Sequence, residues 1–181
     1  MSSHYRNAGV TLLELLITLV IVAILLTAMA PGLGNIVAHN RVDSAADTLT
    51  RALHLARTES IQRGHRVVTC LSESGSSCNP ASPQKLLVFS DSNRTGEPST
   101  PADIINVTNI DTPAVRISYN RPYLAYAPTG YAAGTNGTFK ICDISGKGEF
   151  IIVSSLGRTR TGRDYDGDGI VEKTPGSPIS C

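Results

Sequence analysis

Residues Gly9–Pro31, GVTLLELLITLVIVAILLTAMAP, decide how the rest of the chain is read. Between Val10 and Ala30 the only charged side chain is Glu14, and about 20 apolar residues suffice to cross a bilayer as a helix. The run therefore predicts a membrane-spanning helix over 10–31. An unpaired carboxylate in hydrocarbon costs roughly 2.5–3.5 kcal/mol on insertion scales and is rarely present without a role. No Lys or Arg lies between Val10 and Asn40, so the cation that Glu14 requires must come from a chain terminus or another subunit.

Two ordinary readings compete for this stretch. Ala28-Met29-Ala30 has the A-x-A pattern of a secretory cleavage site, but a Pro directly after the cut and a Glu inside the apolar region argue against it. A plain signal anchor with Arg6 on the cytoplasmic side leaves Gly9 and Glu14 unexplained. Gly9 followed by an apolar run, with Glu14 near its head and Pro31 at its end, resembles the class III signal of type IV prepilins and type II secretion pseudopilins. That resemblance implies a leader over 1–9, cleavage between Gly9 and Val10 by prepilin peptidase, and methylation of the new Val10 amine. It also gives Glu14 an assembly role, because an intersubunit amine would offset the desolvation of both groups.

The composition narrows the function classes. Sixteen Lys+Arg stand against 15 Asp+Glu, so no global field attracts a polyanion and any such partner needs a local patch. Trp is absent and aromatics make up 5%, a thin supply for base stacking. Cys70, Cys78, Cys142 and Cys181 all follow the apolar run, which suits an oxidising compartment. Four cysteines allow three pairings. The local one is favoured: Cys70–Cys78 closes a Ser/Gly-rich loop, and Cys142–Cys181 holds the tail at Ser180-Cys181 to a strand. No CxxC pair and no neighbouring His supports a zinc site instead.

Beyond Pro31-Gly32, where the helix is expected to kink or loosen, Val42, Ala45, Ala46, Leu49, Leu53 and Ala56 recur at three- and four-residue steps. Arg41, Asp43, Asp47, Arg51 and Arg57 lie off that stripe, so 32–63 reads as an amphipathic stem helix. From Gly64 onward the pattern changes to short strands punctuated by Gly, Pro, Ser and Asn. Strands are predicted at His65–Leu71, Lys85–Ser90, Ile104–Val107, Val115–Tyr119, Leu124–Ala127, Thr138–Asp143, Glu149–Ser154 and Thr159–Thr161. Asn136-Gly137 predicts a hairpin. The chain is thus α+β, with a long N-terminal helical stem on an antiparallel head over 64–181.

Within this head the runs ARTES (Ala56–Ser60), LVFSDSNRTG (Leu87–Gly96), APTGYAAGTNGTFKIC (Ala127–Cys142) and IIVSSLGRTR (Ile151–Arg160) resemble the minor pilins FimT and FimU and the pseudopilin GspH. The resemblance implies a type IV pilin-like fold with a head of two β-sheets. It places the chain in the inner membrane with its head in the periplasm, and then in a pilus, at or near the tip, beside other pilin subunits.

No catalytic constellation is present. His4, His39, His54 and His65 are scattered, and Ser155 sits in SSLG rather than in a nucleophile elbow. The strongest binding candidate is Gly157-Arg158-Thr159-Arg160-Thr161-Gly162-Arg163. In an extended segment Arg158 and Arg160 share a face about 7 Å apart, a spacing suited to successive phosphates. Arg158, Arg160 and Arg163 resemble the GRxR element with which FimT proteins bind DNA during natural transformation; FimU and GspH relatives carry a similar pair without that role. The bland reading is a charged edge strand that blocks sheet pairing. Asp164, Asp166, Asp168 and Glu172 follow, with oxygen ligands at alternate positions and Gly at position six, and form a candidate calcium loop. Position twelve is Pro175 where a bidentate Glu belongs, so Glu172 is the expected substitute.

Overall fold

The computed structural model describes residues 10–79, 81, 83–112, 114–132 and 134–181, and no side chain at 26–33 or 35. The leader over 1–9, and with it Gly9, lies outside the described residues. The chain forms two compact units, residues 1–37 and 38–181.

In the first unit, helix α1 (Leu12–Arg63) begins. Thr11 starts it by accepting the Glu14 N–H on its hydroxyl at 3.2 Å, an N-cap that satisfies one orphan donor of the first turn. Thr11-Leu12-Leu13-Glu14 has the spacing of a capping box. Pro31-Gly32 lies within the helix. Among the described residues no helix is long and apolar enough to cross a membrane, and the last third of the expected span falls where no side chains are described.

Among the described residues the second unit holds the remainder of α1 and eight strands. Val42, Ala46, Leu49, Ala52, Leu53 and Ala56 are buried along one helical stripe, as their spacing requires. Gly64, at φ +65, ends the helix, a left-handed position that glycine adopts without cost. The strands are β1 (Val67–Ser72), β2 (Lys85–Ser90), β3 (Ile104–Asn109), β4 (Val115–Tyr119), β5 (Leu124–Tyr126), β6 (Gly137–Asp143), β7 (Gly148–Val153) and β8 (Thr159–Thr161). They build two antiparallel sheets, ordered β3-β2-β1-β5 and β4-β6-β7-β8. Helix α1 and the inner faces of both sheets share one core, which includes Leu53, Val88, Tyr126, Phe139 and Ile151. Tyr119 stacks on Phe139 with ring centroids 4.0 Å apart.

Asn136-Gly137 does not turn a hairpin. β5 pairs with β1 in the first sheet, whereas β6 pairs with β4 and β7 in the second. Glycine is needed there for space: a Cβ on Gly137 would lie 2.3 Å from Asn120 Oδ1 and 2.8 Å from the Tyr119 hydroxyl oxygen. The hairpins of the second sheet instead turn at Gly146 (φ +87) and Gly157 (φ +74), where Gly146 N–H donates to Asp143 O and Gly157 N–H to Ser154 O.

Both bridges join cysteines near in the fold. Cys70 is bonded to Cys78 over the outer face of the first sheet, and Cys142 to Cys181, which fastens the tail to β6. Lys140 Nζ reinforces the second tie by donating to Ser180 O at 2.9 Å.

Candidate nucleic-acid interface

Strand β8 is the outermost strand of the second sheet, and Gly157 fixes where it begins. A Cβ there would lie 2.0 Å from Gly130 O, so the β7–β8 turn can approach the Ala127–Tyr131 turn only through glycine. Arg57 of α1 secures the junction: its Nε donates to Gly130 O at 3.1 Å and its Nη2 to Leu156 O at 3.3 Å. A residue read as part of the polar helix face thus ties the first sheet to the second, since Gly130 follows β5 and Leu156 follows β7.

Arg158 and Arg160 are exposed. Ser154 Oγ accepts the Arg158 N–H at 3.2 Å, and Arg160 Nη2 donates to Lys173 O at 3.2 Å. Thr159 lies between them with its hydroxyl 3.3 Å from His54 Nε2 of α1. Since neighbouring side chains of a strand alternate faces, this contact puts Thr159 on the helix side and Arg158 and Arg160 on the outer side. The register extends that outer face: Arg160 is opposite Ile152, Phe150 is opposite Lys140, and Cys142 is opposite Arg116. Lys140 and Arg116 therefore join the same face. They lie on strands distant in sequence, and only register brings them there. Arg163 is also exposed but has the opposite parity from Arg158 and Arg160. Its backbone pairs with Glu172 in both directions, at 3.0 and 2.8 Å.

The following acidic loop is organised by its own backbone. Asp164 accepts the N–H groups of Gly167 at 2.7 Å and Gly169 at 2.9 Å. The hydrogen bonds from Gly169 and then Gly167 hold its carboxyl below the usual range. Carboxylate oxygens of Asp164, Asp166 and Asp168 lie within 4.8 Å of one another. Glu172, expected as the fourth oxygen donor, does not join that group. It is buried, 4% exposed, and its Oε1 accepts the Gly176 N–H at 2.9 Å. Its backbone pairing with Arg163 sets this position, which spacing in the sequence does not show.

Glu14 is exposed, and its carboxylate has no hydrogen-bond or ion-pair partner among the described residues. At the other end of the titratable range, burial pushes the Tyr119 and Tyr126 hydroxyls well above their ordinary pKa, so both stay neutral.

The family described as Type II transport protein GspH matches residues 45–157. The chain belongs to the GspH family. The prokaryotic N-terminal methylation motif matches residues 4–30. The fold is similar to that of the type IV minor pilin FimU of Pseudomonas aeruginosa, at 19% identity and a TM-score of 0.54, over 79% of this chain and 96% of that one. A second crystal form of FimU gives 18% identity and a TM-score of 0.49, over 67% and 92%. No curated protein matches the chain. As a GspH-family chain with the methylation motif, it is a pilin-like subunit, membrane-anchored and assembled with other pilin subunits. Such subunits are structural proteins, not enzymes.

Proposed function

We propose that this GspH-family subunit captures extracellular DNA during natural transformation through Arg158 and Arg160, with Arg163 adding charge beside them. The observation that carries the reading is their placement on one exposed face at the edge of the second sheet, where among the described residues no carboxylate pairs with either guanidinium. Phosphate contacts of this kind position a nucleic acid without reading its sequence, so unrelated DNAs bind alike. Cleavage after Gly9 by prepilin peptidase, methylation of Val10 and pairing of Glu14 with a neighbouring subunit's amine belong to the same reading. They would carry the subunit from the inner membrane into a pilus, at or near its tip. In a second reading, favoured by the description of the matched family, the subunit primes a pilus or a type II secretion pseudopilus and binds no DNA.

One experiment separates them. Arg158→Gln with Arg160→Gln is expected to weaken binding of a labelled mixed-sequence duplex and to lower the salt slope by about one per lost phosphate contact, while incorporation into the filament is retained. Unchanged affinity in the double variant leaves the priming role alone.

A further inference from the structure

We propose that the DNA path runs past β8 to a second phosphate site, a cleft of about 240 Å³ lined by Arg66, Arg94, Ala127 and Pro128. The inference rests on the DNA-capture reading and extends it to residues of the first sheet's side.

The two arginines of the cleft differ. Arg66 is committed: its Nη1 lies 2.8 Å from Asp91 Oδ2, and its guanidinium stands over the Tyr123 ring, 5.3 Å from the centroid. Asp91 is buried and also accepts the N–H groups of Thr95 at 2.9 Å and Gly96 at 3.1 Å. Its charge is therefore used inside the turn. Arg94 is exposed, and its side chain has no hydrogen-bond or ion-pair partner among the described residues. Its backbone is held at φ +59, the only positive φ at a non-glycine among the described residues. Left-handed backbone at such a residue is uncommon and costs free energy. Asp91 supplies that stabilisation, and the outcome is a fixed turn that presents an unpaired guanidinium at the edge of a cleft.

The cleft borders the turn that packs against the β7–β8 turn. Ala127 and Pro128 belong to the turn closed by Gly130 N–H to Ala127 O and Ala127 N–H to Tyr131 O, both at 2.8 Å. Gly130 in turn abuts Gly157, the residue before Arg158, and Ala132 N–H donates to Ser155 O at 3.0 Å. The two cationic sites thus stand on either side of one tight turn. Arg57 fixes that turn to the β7–β8 turn, so the spacing between the sites is rigid. A phosphodiester backbone, with a charge at every residue, is the ligand that uses two cationic sites at fixed spacing.

The test uses the full-length chain in detergent micelles and the anisotropy of a fluorescein-labelled mixed-sequence duplex across a NaCl series. Arg94→Gly deletes the guanidinium and relieves the left-handed strain, so its fold is at least as stable as that of the parent. Arg94→Lys keeps the charge. Arg94→Gly is expected to weaken binding and lower the salt slope by about one, with no fall in melting temperature, and Arg94→Lys to keep the parent slope. If Arg94→Gly binds like the parent while the Arg158→Gln, Arg160→Gln variant loses affinity, the second site is overturned and the β8 reading stands. If Arg94→Gly loses affinity and the double variant does not, the cleft is supported and the β8 reading falls. Competition by inorganic phosphate as effective as that of DNA at equal phosphate concentration would also overturn the proposal, since it denies any use of the linked spacing.

Discussion

The two sheets of the second unit have the same strand count and opposite exposure. In the first, β1 and β2 are buried on both faces. Val67, Leu71, Leu86 and Val88 meet the shared core, while Val68, Cys70, Leu87 and Phe89 are covered by Cys78, Ile104 and Tyr123. In the second, Ile117, Phe139, Ile141 and Ile151 meet the same core, but the outer face carries Arg116, Lys140, Phe150, Ile152 and Arg160, none of them buried. The second sheet has an outer face to offer, and Arg116, Lys140 and Arg160 sit there.

This contrast is breakable by mutation, and the largest effect is expected on the covered sheet. Phe89→Ala, at a fully buried outer-face position, should cost about 3–5 kcal/mol. Ile152→Ala, on the outer face of the second sheet, should cost about 1 kcal/mol or less for its partial burial. Equal losses in urea melts of the two variants would mean that the second outer face is covered after all.

The bridges sharpen the comparison. Chain entropy assigns about 2.5 kcal/mol to Cys70–Cys78 and about 4 kcal/mol to Cys142–Cys181, because the closed loops differ in length, with sequence separations of 8 and 39. Access runs the other way: Cys70 is 1% exposed, whereas Cys181 is exposed. Mild reductant should therefore open Cys142–Cys181 first, read by mass mapping of alkylated peptides. Earlier alkylation of Cys70 and Cys78 would show that the first sheet's cover opens more readily than its burial implies.

The smallest effect is a response to acid. Asp164 has a lowered folded pKa, so its contribution to stability is present above the ordinary value of 3.8 and is lost as pH falls below it. Glu149 has the opposite sign: its carboxyl is raised mainly by burial, so its contribution is present below the ordinary value of 4.5 and is lost as pH rises through the folded one. Acid titration should release the amide shifts of Gly167 and Gly169 in the parent, and Asp164→Asn should remove that transition.

Much of this was legible in the residues. Lys85–Ser90, Val115–Tyr119 and Thr159–Thr161 have the bounds their patterns predict, because apolar runs and alternation report burial directly. Pairing partners were not legible. Asn136-Gly137 has the composition of a hairpin turn, yet β5 joins β1, a contact between distant segments that no local signal encodes. Arg57 looked like a solvated helix charge because its acceptors, Gly130 O and Leu156 O, are backbone atoms in two remote turns. At the candidate interface, the Arg158–Arg160 face followed from strand periodicity alone. Lys140 and Arg116 needed the register, Arg94 needed the turn that Asp91 builds, and the burial of Glu172 needed its backbone pairing with Arg163.

Cys181 follows both sheets in chain order, whereas Cys78 precedes seven of the eight strands. In chain order the first bridge can close while most of the head is still to be made. The second has no partner until β6, β7 and β8 have passed and Cys181 itself has arrived. Its formation therefore acts as a timer. A head arrested part-way leaves Cys142 as an open thiol, and a completed head does not.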